Sequence, residues 1–167
     1  MYLWPWEKIP DHLLHTFACD CAERALLRCR QIGTTPDPRS LEALRYKRLF
    51  IEGKCSAQAL RYAFYAAQDA ARSVYKVARD ASYAAMNAAI EGARESAYAV
   101  SRDALCDAAR HGLRQEEILW QVDHVNRILT EFMFKRESLL LLLRQRNVQQ
   151  QDGTLARFQR HLEEVLF

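Results

Sequence analysis

Proline and glycine are scarce in this 167-residue chain, with four of one and five of the other. That scarcity argues against a turn-rich all-β domain, and no stretch has the alternation or β-branched density of a strand. Only five of the 24 basic residues are lysines (Lys8, Lys47, Lys54, Lys76 and Lys135), so arginine, with its planar bidentate fork, carries the positive charge. Long apolar runs are missing. The longest, Tyr62 to Ala67 and Leu139 to Leu143, fall far short of a membrane span, so no membrane partner is expected. A formal charge of +3 gives little support for a nucleic-acid partner. Five cysteines (Cys19, Cys21, Cys29, Cys55 and Cys106) make an odd count, and the first residues have neither a basic start nor an apolar run. Free, mostly buried thiols in a reducing cytoplasm are the expectation.

What the chain does contain is helix. Pro10-Asp11 can open one, and Leu13, Leu14, Phe17, Ala18, Cys21, Ala22, Ala25, Leu26 and Cys29 recur at helical spacing before Gly33. Asp37 as a cap with Pro38 at the first helical position predicts a second helix, running to Gly53. Ser56 is a cap for a third. Nineteen alanines then lie between Ala57 and Ala109, with no proline and only Gly92 as a breaker. Alanine is the best intrinsic helix former, and its methyl lets helix axes approach closely. One helix over that stretch would be about 80 Å long at ~1.5 Å per residue, too long for a compact domain. The pattern S-x-Y-x-V-x-R-D-A occurs at Ser73 and again at Ser96. It predicts a break into two helices, with Asp80 and Asp103 capping the helices that follow. Tyr62, Tyr65, Tyr75, Tyr83 and Tyr98 are expected mostly as core spacers, or else as a partner-binding face. A further apolar stripe, Ile118 to Met133, continues through the five leucines, where every side of the helix is apolar. Central burial or a homodimer seam would account for that. Thr154 can cap a last helix. The expected fold is all-α, a compact multi-helix bundle in one domain over residues 1–167, with an alanine-rich central helical pair.

Motifs for chemistry are few. No G-x-S-x-G serine and no glycine-rich phosphate loop occurs, and no catalytic residue or cofactor is assigned. His12, His15 and Cys19 share a helix face, which leaves a small-ligand or metal-binding bundle as an alternative reading, without a second ligand cluster to complete it. The charged group Asp20, Glu23 and Arg24 interrupts an apolar region. Asp20 and Arg24 stand four residues apart in the favourable acid-before-base order, so they either form a surface pair or reach across to Arg79 or Arg102. With Asp80 and Asp103, these are the structural or partner-binding candidates.

The run Asp20-Cys21-Ala22-Glu23-Arg24, with Asp37-Pro38-Arg39, the small-residue-rich middle and Trp120-Gln121 ahead of Val122 and Val125, resembles a family of bacterial immunity proteins. The resemblance covers about residues 11–130 and leaves the leucine-rich helices of about 131–167 outside it. It implies a small alanine-rich helical protein without enzymatic activity that protects its producer by binding a toxin. It also implies histidines in the alanine-rich stretch, and Gly92 to Ser101 has none.

Overall fold

A computed structural model of the chain describes residues 9–74 and 76–149. Among them are six helices and no strand: α1 (Asp11–Gln31), α2 (Pro38–Ile51), α3 (Ala57–Ser73), α4 (Lys76–Ala88), α5 (Ala93–Arg110) and α6 (Arg114–Gln149). The all-α expectation holds. The chain divides into two compact units, Met1–Val125 and Asn126–Phe167, so the first turns of α6 belong to the first unit. The helix expected from Thr154 lies outside the described residues.

Local chemistry sets the helix ends. Asp37 caps α2 by accepting from Arg39 N at 2.9 Å, with Pro38 at the first position, and Ser56 caps α3 by accepting from Ala59 N at 3.1 Å. At the end of α1, Gly33 has φ 80°, a left-handed conformation that costs a side-chain-bearing residue about 1–2 kcal/mol. That turn lets Thr34 N reach Cys29 O at 2.8 Å and Gly33 N reach Arg30 O at 3.0 Å, satisfying carbonyls the helix leaves open.

The alanine-rich third forms three helices where a pair was expected. It breaks at Val74, whose backbone is extended (ψ 152°), and again between Ala88 and Ala93. The repeat is therefore not structural: Ser73 ends α3, whereas Ser96 sits in the first turn of α5. Asp80 and Asp103 lie inside α4 and α5 and cap nothing. They align an antiparallel pair instead. Arg110 Nε donates to Asp80 Oδ2, and Asn87 Nδ2 donates to Asp103 Oδ2 at 2.6 Å. Ser96 Oγ closes the turn by donating to Asn87 O at 3.0 Å, one of the carbonyls released as α4 ends.

In the first unit α1 and α4 are central. α1 packs on α2, α4 and α5, and α4 packs on α1, α2, α3 and α5. Ala18, Ala22, Ala25, Ala67, Ala70, Ala81, Ala84, Ala85, Ala97, Ala104 and Ala108 are sealed from solvent at these crossings. Because α1 has neighbours on several sides, both Cys19 and Cys21 are buried although they point apart. Cys29 is buried too, Cys55 half-buried and Cys106 exposed, all as free thiols. Larger groups fill a pocket between α2, α3 and α4, where Leu60 and Met86 meet Tyr46, Phe50, Phe64 and Tyr83.

For two groups of large side chains the burial alternative does not hold, which leaves the partner-face and dimer-seam alternatives. Tyr62, Tyr65 and Tyr98 are exposed, because Leu60, Ala63, Ala67, Ala70 and Ala71 take the inner face of α3 and small residues likewise take that of α5. Only Tyr83 behaves as a core spacer, and Tyr75 lies outside the described residues. None of the five leucines is buried: Leu139, Leu141 and Leu142 are exposed, Leu140 and Leu143 intermediate. No helix among the described residues is long and apolar enough to cross a membrane.

Close packing of methyl groups leaves no room for growth. Ala81→Leu should lower the unfolding free energy by about 1–3 kcal/mol through overpacking, measured by urea denaturation followed by circular dichroism.

Candidate functional site

The charged residues of the Asp20–Arg24 run do not pair with one another. On α1, Asp20, Arg24 and Arg28 follow at four-residue intervals and so share one side of the helix. On α6, Glu117, Gln121 and His124 follow at intervals of four and three and likewise share one side. The two polar faces meet beside α2 and α5.

Arg28 is the centre. Its Nε donates to Asp107 Oδ2 at 2.8 Å, its Nη1 to Glu117 Oε2 at 2.5 Å and its Nη2 to the Ala104 carbonyl at 3.0 Å. The Arg28 side chain is 7% exposed, and both carboxylates are sealed from solvent. Burial alone would destabilise the cation, yet its two carboxylate partners outweigh that and hold its pKa above the usual arginine value. Arg24 Nε donates to the same Glu117 oxygen at 2.9 Å. Gln121 holds the other oxygen, donating to Oε1 at 2.9 Å, and is itself tied to α5, accepting from Ser101 Oγ at 2.7 Å. Asp107 is less complete. Its Oδ1 has no hydrogen-bond partner, nor has His111 Nε2 at 3.8 Å from it, and burial pushes the Asp107 carboxyl up despite Arg28.

Nearer the surface, Asp20 joins α1 to α2 and α6. Its Oδ1 accepts from Arg48 Nη2 at 2.5 Å, and its Oδ2 lies 2.6 Å from His124 Nε2. Burial would raise its pKa, but the bonds from His124 and Arg48 prevail and hold it below the ordinary carboxylate value. Glu23 Oε1 accepts from Arg48 Nη2 at 3.1 Å. The aromatic rings continue the assembly: the Arg24 guanidinium lies 4.7 Å from the centre of the Trp120 ring, Trp120 stacks on His124 at 4.6 Å, and His124 on Phe17 at 6.2 Å.

Asp20, Glu23 and Arg24 thus come together, but their partners lie on α2 and α6. The reach to Arg79 or Arg102 does not occur. Arg79 is exposed, and Arg102 pairs with its neighbour Asp103 at 3.1 Å. Asp80 and Asp103 form the separate α4–α5 group described above. Arg28, Arg48, Asp107, Glu117 and His124 escaped the sequence reading. The four-residue spacing from Asp20 through Arg24 to Arg28 was the available signal for the first of them, and Glu117-Gln121-His124 for α6. Nothing in the spacing identifies Arg48 or Asp107.

Near the face proposed from His12, His15 and Cys19, burial dominates. Burial, with Lys47 next, lowers the half-buried His15 to about 4, and its ring meets Phe50 edge-on at 6.1 Å. The Cys19 thiol is pushed up to about 12, first by burial. No three His, Cys, Asp or Glu side chains converge as metal ligands among the described residues. Lys47 is wholly buried beside this face. Its Nζ donates to Ile90 O in the α4–α5 turn and lies 5.4 Å from the Phe50 ring. Burial lowers its pKa from 10.5 to about 8.

The arrangement does mechanical work: it fastens α1 to α2, α5 and the first turns of α6 with neutralised charges. A family model described as "Imm-5 like putative immunity protein" matches residues 5–128, which span every residue of the network. No curated protein and no solved structure matches the chain.

The unfolded chain holds the Lys47 proton up to its ordinary value of 10.5, whereas the folded protein releases it near 8. The burial penalty is therefore complete below pH 8 and is relieved as pH rises toward 10.5. Urea titrations across this window should show the natural protein gaining stability relative to Lys47→Met. A constant difference would contradict the assignment.

Proposed function

The chain belongs to the Imm-5 like immunity protein family, and from that premise we propose that it is a binding protein that neutralises a toxin by covering its working surface. The action requires no chemistry on the toxin, and it takes place in the cytoplasm of the bacterial cell that makes both. One observation carries this reading. The charged run at residues 20–24 fastens the scaffold and reaches the surface at Arg24, whose side chain is 34% exposed, while elsewhere tyrosine and arginine, the residue types that dominate binding hot spots, also face outward. Tyr62, Tyr65 and Tyr98 are 67%, 54% and 45% exposed, and the Arg61, Arg72 and Arg94 side chains more than half exposed. A scaffold whose helices are already fixed loses little conformational entropy on docking.

Exposed Met133, Phe134, Leu139, Leu141 and Leu142 on α6 favour a second reading, self-association through that helix. Light scattering decides it: a native mass of one chain, unchanged in Leu141→Glu, excludes the seam.

The product of the open reading frame beside this chain's gene, expected to be the toxin, supplies the main test. Co-expression should rescue growth, and the two proteins should co-purify at equal stoichiometry with the toxin unmodified in mass. Rescue with a covalently altered toxin, or no association at all, would reject the reading.

A further inference from the structure

Arg24 occupies a special place in the network, because it is the arginine at which the buried charges reach the surface. Its side chain is 34% exposed while its Glu117 partner is sealed. Among the described residues only its Nε makes a hydrogen bond, and both terminal nitrogens remain free of protein partners. The guanidinium is also held over Trp120 at 4.7 Å. An exposed arginine ordinarily loses much side-chain entropy when it binds. Here one edge is fastened and one face stacked, so the free edge, with its parallel N–H groups, is already oriented.

The surroundings fit a protein contact. Leu27, one turn further along α1, is 52% exposed, and Leu119, beside Trp120 in the chain, is 60% exposed. The nearby carboxylates do not compete for the free edge, since Asp20 is bonded to Arg48 and His124 and Glu23 to Arg48. An anchored arginine and an indole are residue types enriched in interface hot spots, and the exposed leucines add apolar area beside them.

We propose that Arg24 and Trp120, with Leu27 alongside, form the toxin-docking surface, and that Arg24 receives a carboxylate of the toxin in a two-pronged hydrogen-bonded pair. The geometry suits a carboxylate because two parallel N–H groups match its two oxygens. Arg24 therefore has two functions in one side chain: its inner edge secures α6, and its outer edge takes the partner. This assignment rests on the toxin-binding reading above and locates it on the molecule.

Two arms test it on the full chain. In the first, acetylated and amidated tetraglutamate is titrated while the Arg24 side-chain N–H and Trp120 indole N–H resonances are followed, with tetraglutamine as the control. Both signals should move with tetraglutamate alone, and Arg24→Lys should weaken that response about tenfold by losing the fork. Stationary signals, or equal movement with tetraglutamine, would overturn the carboxylate assignment. In the second arm, Leu27→Asp is compared with the Tyr62→Ala, Tyr65→Ala double variant in cells expressing the neighbouring toxin. Leu27 makes no bond in the network, so this variant should fold, checked by circular dichroism, yet lose protection while the tyrosine variant keeps it. The opposite pattern would move the surface to α3 and leave the binding reading standing. A natural chain that protects against nothing would reject the binding reading itself, while the peptide titration still reports on Arg24.

Discussion

A guanidinium enclosed by two carboxylates is the constraint on which the first unit depends. Taking Arg28, Asp107 and Glu117 out of water costs several kcal/mol per ion, and only near-complete bonding offsets it. The geometry provides that bonding. Arg28 donates from all three nitrogens, to Asp107, Glu117 and the Ala104 carbonyl, and Glu117 is held by two arginines and a glutamine. Two positive and two negative side chains (Arg24 and Arg28, Asp107 and Glu117) leave the cluster neutral. Displacing any helix that contributes to it would leave a buried charge uncompensated, which fixes α1, α5 and the start of α6 in one arrangement.

The alanines and the ions solve complementary problems. Where α1 crosses α4 and α5, methyl-sized side chains let backbones approach, and packing holds them. The first turns of α6 are joined to α1 and α5 by long polar side chains instead of close backbone packing. An apolar interface there would tolerate sliding, because dispersion and burial are not directional. A bonded interface does not. Lys47 and Ser96 apply the same device to the α4–α5 turn, each taking a carbonyl near the end of α4.

Much of this was legible in the sequence, for identifiable reasons. Helix ends at Gln31 and Ile51 followed from glycines and from the Asp37-Pro38 cap, which act within a few residues. The three-helix division of the alanine-rich third was harder. Alanine gives strong helix propensity and almost no periodic contrast, so a chance repeat at Ser73 and Ser96 outweighed the true breaks at Val74 and Gly92. The tyrosines were misplaced for a related reason. Size normally marks the core, but where helices touch through methyl groups, the large side chains are the ones displaced outward. The site was half visible. Asp20, Glu23 and Arg24 stood out as charge within an apolar stripe, but their partners are remote in sequence, Arg48 by 28 residues from Asp20 and Glu117 by 93 from Arg24. Only the fold brings them together.

Under the proposed binding role, rigidity of this kind would be a functional asset, since a surface that docks a partner gains when little has to be ordered on contact. The claim underneath is that Arg28 is charged and neutralises Asp107 in the folded protein. A double-mutant cycle measures it by urea unfolding. Arg28→Met should cost about 3–5 kcal/mol when Asp107 is present, by leaving a buried carboxylate without its cation. In an Asp107→Asn background the same change should cost less by about 1–3 kcal/mol, the coupling expected of residues in direct contact. An equal loss in both backgrounds would show that the two groups do not interact as ions, and the fastening described for α1 and α5 would have to be abandoned.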